Sequence, residues 1–161
     1  MPSSREERAA GGKKREGEKI LLAASPDDIS SKSKSNQVLA RFLASIKSDA
    51  TRRGAVAYLN AYMKYWKLYE EGSDNSSSLV YRYDWLLPNT SGQSGNVASV
   101  VVDIETIQDR IIQFVMDKKQ QGLGAKAIDN YIVHLQKFYR VNGVKVGLID
   151  WDLIHNYYPD N

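Results

Sequence analysis

Apolar side chains return every three to four residues in three separate stretches, residues 48–66, 103–122 and 122–142. That period suits a helix and not a strand, so the chain is committed to helices packed on helices. In SDATRRGAVAYLNAYMKYWKLYEEG (48–72) the residues Val56, Leu59, Met63 and Trp66 form one stripe at about 100° per residue. Tyr58, Tyr62, Tyr65 and Tyr69 form a second stripe beside it, and Arg53, Asn60, Lys64 and Lys67 form a third, nearly opposite the tyrosines. Aromatics that stack on bases are interleaved with cations. Here they stand on the far side, which assigns them to packing. Ser48 or Asp49 can cap the start of this helix and Gly72 can end it.

The next helix, DIETIQDRIIQFVMDKKQQG (103–122), has Asp103 as its expected N-cap and Gly122 just past its end. Ile104, Ile107, Ile111, Phe114 and Val115 share one face, broadened by Ile112 and Met116. GLGAKAIDNYIVHLQKFYRVN (122–142) points Ile128, Tyr131, Ile132, Leu135, Phe138 and Tyr139 inward. Its other face carries Lys126, Asn130 and Lys137. Before these helices lies a shorter one near QVLARFLASIKS (37–48), with Val38, Phe42, Leu43 and Ile46 inward. A last short helix surrounds Trp151 and Ile154, stopped by Pro159. The expected architecture is an all-α bundle of four to five helices spanning 37–159.

Two segments fall outside this pattern. Residues 1–36 are rich in Ser, Gly, Lys and Glu with one apolar patch, KILLAAS, and are expected to be a flexible basic arm. Residues 72–101 have Ser/Asn/Gly-rich ends around LVYRYDWLL, whose alternating aromatics suit a loop or hairpin inserted between helices.

Composition narrows the chemistry. The 161 residues include no cysteine, which removes disulfides, thiolate zinc sites and cysteine nucleophiles. The two histidines, His134 and His155, lack metal-ligand spacing, so no metal is expected. QQGLGAKAI is not a phosphate-binding P-loop, and no cofactor is expected. The helix start after Gly124 can nevertheless hold one backbone phosphate on its free N–H groups. No apolar run is long enough to span a bilayer and the first residues lack a secretion signal, so a cytoplasmic protein with no membrane partner is expected. The net charge of +3 is uneven: residues 1–71 carry +5 and the remainder −2, which favours an acidic partner, most simply nucleic acid.

Two blocks and the tail resemble a known family. SDATRRGAVAYLNAYMKYW (48–66) resembles the first long helix of the core-binding domain of tyrosine recombinases, the phage-integrase family; Ser48, Thr51, Arg52 and Leu59 match, and Ala55 replaces a usual tyrosine. QQGLGAKAIDNYIVHLQKFYRVNGV is similar to a second block through Gly122, Leu123, Ile128, Tyr131, Leu135, Phe138 and Tyr139, with Gly124 and Ala127 in place of the usual Ser and Thr. LIDWDLIHNYYP looks like the closing helix of archaeal members. The resemblance covers roughly 38–71 and 102–159 and implies a SAM-like, all-α domain forming half of a clamp on double-stranded DNA. It implies site-specific recombination and DNA integration with a recombinase subunit or separate catalytic domain as partner. The family's strand-cleaving residues have no counterpart here, so the chain itself is not expected to be an enzyme, and Tyr157 and Tyr158 have no HxxR partner before them. Carried onto this chain, the DNA-binding set is Thr51, Arg52, Arg53, Lys64, Lys67, Gly124, Lys126, Asn130 and Lys137, with Asn130 as base reader and the cations on phosphates. Two other uses remain open: a helical protein–protein interaction module built on the tyrosine stripe and Trp85, and a bundle whose basic stripes are only solvated.

Overall fold

Three helices in this chain begin where a side chain takes over an unpaired backbone N–H. The Ser48 side chain accepts from the Thr51 N–H at 3.5 Å, Asp103 from that of Thr106 at 2.7 Å and Asp150 from that of Leu153 at 2.9 Å. The Thr106 N–H holds the Asp103 carboxyl below the usual carboxylate range. The computed structural model describes residues 26–72, 78–88 and 103–160, without the side chains of 26–31. Its elements are α1 (Pro26–Ala44), α2 (Asp49–Tyr65), strands β1 (Tyr69–Glu71) and β2 (Leu79–Tyr81), a 3-10 turn (Tyr83–Leu86), α3 (Ile104–Gln120), α4 (Ala125–Val141) and α5 (Trp151–His155). The chain divides into two units, Met1–Lys34 and Ser35–Asn161, and the packing below is that of the second.

The core is built from the faces that the periodicity singles out. Val38, Phe42 and Ile46 meet Leu59, Tyr62 and Met63 of α2, Ile107, Ile111, Phe114 and Val115 of α3, and Ile128, Ile132, Leu135, Phe138 and Tyr139 of α4 in one buried cluster. Edge-to-face aromatic pairs join the helices: Phe42 with Phe138 at 5.6 Å, Tyr62 with Phe114 at 5.1 Å and Tyr58 with Tyr131 at 4.9 Å between ring centroids. Burying each of the phenylalanine rings contributes about 1.5–3 kcal/mol. Burial also raises the Tyr62 and Tyr139 hydroxyls above the ordinary phenol range, so both stay neutral. The described residues are mainly helical, with one two-stranded antiparallel sheet pairing Tyr69 with Tyr81, Glu70 with Val80 and Glu71 with Leu79. No described helix is long and apolar enough to cross a membrane.

Two boundaries differ from the sequence reading. The first helix starts at Pro26 and not near residue 37, so residues 26–36 are helical where an arm was expected; residues 1–25 lie outside the described set. Proline suits a first helical position. In the polar run behind it Ser35 turns inward, and its hydroxyl accepts the Tyr83 N–H at 3.0 Å and donates to the Tyr81 carbonyl at 3.3 Å. The second helix ends at Tyr65 and not at Gly72. There the Lys67 N–H bonds the Lys64 carbonyl and the Leu68 N–H bonds the Met63 carbonyl, a Schellman closure with Lys67 at φ 55°. The same closure ends α3 at Gly122 and α4 at Gly143, where glycine carries the positive φ without strain.

The segment read as an insertion, 72–101, supplies the second strand of a hairpin and the 3-10 turn, while the first strand, Tyr69–Glu71, lies in what was read as the end of the preceding helix; residues 73–77 and 89–102 lie outside the described set. Its centre is Arg82, only 5% exposed. The guanidinium pairs with Glu70 at 2.8 Å and with Asp84 at 3.1 Å, and lies 4.8 Å over the Trp85 ring. The Tyr83 hydroxyl donates to Asn60 Oδ1 at 2.7 Å, tying this turn to α2.

Two substitutions test this account by urea denaturation. Lys67→Gly relieves about 1–2 kcal/mol of left-handed strain and gives back roughly 0.4–1 kcal/mol in unfolded-chain freedom, for a net gain of about 0.5–1 kcal/mol. Arg82→Ala leaves the mostly buried Asp84 carboxylate unpaired and lowers stability by about 3 kcal/mol.

Candidate nucleic-acid interface

On a helix, residues eleven apart return to nearly the same face. Both α2 and α4 use this spacing for a pair of cations: Arg53 and Lys64 on the first, Lys126 and Lys137 on the second. Each pair spans about 16 Å along its axis. Arg53, Lys64 and Lys126 are exposed and Lys137 is half-buried. Among the described residues none of the four forms an ion pair.

A carboxamide sits between the cations on each helix, and the two have different fates. Asn60 accepts the Tyr83 hydroxyl and is committed to the fold. Asn130 is exposed, and its side chain has no partner among the described residues, so both its donor and its acceptor are available. Val133, 48% exposed, continues the α4 stripe between Asn130 and Lys137, and the exposed Arg140 extends it. These two were legible as positions seven and fourteen residues beyond Lys126, but an apolar residue on a polar face does not announce itself.

The two helices are joined along a seam that lies beside the α4 stripe and well round the helix from the α2 stripe. Tyr58 packs its edge against Tyr131 and stacks on His134 at 5.1 Å with 17° between ring planes. On α2 the seam residue Tyr58 lies roughly 120–140° round from Arg53 and Lys64; on α4, His134 lies roughly 40–80° from Lys126, Asn130 and Lys137. Thr51 is exposed, seven residues before Tyr58 and on the same side of α2.

The acids are the informative part. Helix α2 contains a single carboxylate, Asp49, and it is paired with Arg52 at 2.9 Å. Helix α4 also contains a single carboxylate, Asp129. The Tyr158 hydroxyl donates to it at 3.2 Å, and His155 Nε2 stands 3.5 Å away. Each helix therefore carries three cations against one acid, and the acid is already engaged. Burial, reinforced by Asp129, pushes the Tyr158 hydroxyl above the ordinary phenol range, so it remains protonated at neutral pH.

The remaining expected residues fall into different surroundings. Arg52 is turned into the fold: its Nε donates to the Ile46 carbonyl at 2.7 Å and to that of Leu43 at 3.2 Å. It thus satisfies carbonyls at the end of α1, where a cation is favoured. Lys67 lies past the end of α2 and so leaves the helical stripe to which its spacing assigned it. Gly124 is the N-cap of α4 without a side-chain cap, and a Cβ there would meet nothing within 4 Å, so there is open space beside the start of α4. Of the aromatics expected to offer a protein-binding surface, Tyr62 is buried, Tyr58 is used in the seam and Trp85 lies under Arg82, with Trp85 and Tyr65 partly exposed. No group of three His, Asp or Glu among the described residues could hold a metal ion.

Comparison with protein-family models, curated proteins and solved structures finds no match.

Arg52→Ala separates a structural arginine from a phosphate contact. Losing its bonds to the two carbonyls costs about 1–2 kcal/mol, toward the lower end because the side chain is partly exposed. Thermal melting is expected to show that loss, while the salt dependence of any DNA binding stays unchanged.

Proposed function

We propose that α2 and α4 present a face for duplex DNA, in the manner of the SAM-like core-binding domain of tyrosine recombinases. In this reading the chain holds DNA during site-specific recombination or integration, and strand cleavage belongs to a partner recombinase subunit or separate catalytic domain. The observation that carries it is electrostatic. Two packed helices each offer cations eleven residues apart, and the only carboxylate on each helix is held by other groups. A solvated stripe needs no such arrangement, since lysine faces commonly mix with free acids. The resemblance in the blocks around residues 48–66 and 120–144 supports the assignment to recombination.

Roles follow from side-chain chemistry. Arg53, Lys64, Lys126 and Lys137 neutralise phosphates and supply most of the affinity without reading sequence. The open amides at the start of α4 can take one more phosphate. Asn130, with donor and acceptor both free, is suited to the N6/N7 edge of adenine in the major groove. Val133 beside it can meet a thymine methyl group. An A-form RNA duplex has a major groove too narrow for this helix and is expected to bind more weakly.

Fluorescence anisotropy on duplex DNA across a salt series tests the proposal. Four to six phosphate contacts give a log–log slope of about −4 to −5. The triple variant K126A/N130A/K137A, folded by circular dichroism, is expected to flatten that slope by about two. A slope near zero for the parent protein, or a triple variant that binds like the parent, overturns the reading.

A further inference from the structure

Beyond α4 the chain makes a short turn whose placement is tightly held. The Val144 N–H bonds the Tyr139 carbonyl, the Leu148 N–H bonds the Lys145 carbonyl, and Gly147 supplies the positive φ that the turn requires. Ile149 is then buried, and the Asp150 N–H donates to Gln108 of α3 at 2.8 Å. At the apex, anchored on both sides, Val146 is 90% exposed. A lone exposed valine needs no explanation. This one stands next to Lys145, and the cleft below it is lined by Lys145, Arg140, Tyr139 and Trp151 with no carboxylate. The cleft measures about 120 Å³, well under the roughly 300 Å³ at which small-molecule sites begin, so it is not a cofactor pocket.

Arg140 belongs both to this cleft and to the end of the α4 stripe. From Lys126 to Arg140 the helix advances about 21 Å, more than the roughly 12 Å width of the major groove. A helix whose first half lies in that groove therefore carries its last turn over the flanking backbone. Building on the DNA-binding reading above, we propose that the turn from Gly143 to Leu148 is an accessory DNA contact. Arg140 and Lys145 take the phosphates beside the α4 site, and Val146 enters the edge of the adjoining minor groove against sugar carbons. The charge selects the polyanion and the exposed valine matches its apolar sugar edge. Rigid anchoring keeps the ordering cost of this contact low.

The test uses the full chain and a mixed-sequence duplex of about 30 base pairs, read by anisotropy over a salt series, with melting temperatures to confirm folding. Lys145→Ala is expected to reduce the salt slope by about one. Val146→Ala removes apolar contact and not charge, so it is expected to weaken binding about fivefold with the slope unchanged. If both variants match the parent while K126A/K137A is weakened, the accessory contact is overturned and the α4 reading stands. If the parent shows no salt-dependent binding, both fall together.

Discussion

The contact between α2 and α4 at Tyr58 governs what this surface can be. Tyr58 sets its ring edge-on to Tyr131 and flat on His134, so the rotation of each helix about its axis is fixed at the point where they meet. Fixing those rotations fixes which residues stand outside. The apolar positions of α4 close on the core through Ile128, Ile132 and Leu135, and the opposite side is left with Lys126, Asn130, Val133 and Lys137. The basic surface is thus a by-product of core packing and of what the sequence puts on the outer positions. A rotation by one residue would swing it some 100° away.

A cationic surface is effective only if nearby carboxylates do not cancel it. Each acid on these two helices is engaged differently. Asp49 is drawn into the cap region of α2 and spent on Arg52, which in turn is spent on the carbonyls of α1. Asp129 accepts a bond from a tyrosine of the closing segment. In the hairpin the order is reversed, and two acids surround one buried arginine. That cluster stabilises a turn and leaves no net positive charge to attract a polyanion.

Long-period features were legible in the sequence, and local reversals were not. The helices around 49–65, 104–120 and 125–141 and their inward residues could be read because 3.6-residue periodicity accumulates over several turns. The caps at Ser48 and Asp103 could be read because their chemistry is local. The end of α2 could not, because Lys67 occupies a position where glycine is the usual signal and Gly72 offered a false one. Ser35 was invisible for a different reason: its burial depends on a hairpin more than forty residues away. For the same reason Arg52 read as a free cation, although its partners lie on the preceding helix and the turn that follows it. At the candidate interface the spacing of Lys126, Asn130 and Lys137 was available, whereas the engagement of Asn60 by Tyr83 was not.

Tyr158 and His155 make the end of the described chain an electrostatic component of α4. The short helix α5 buries little beyond Ile154, yet it and the residues just after it deliver an imidazole and a hydroxyl to the one acid of α4. Asp129, one residue from Asn130, thus has its carboxylate oriented by the closing segment and not left without a partner. The closing segment therefore works as a clasp: it holds the single acid of a helix whose outer face it does not itself form.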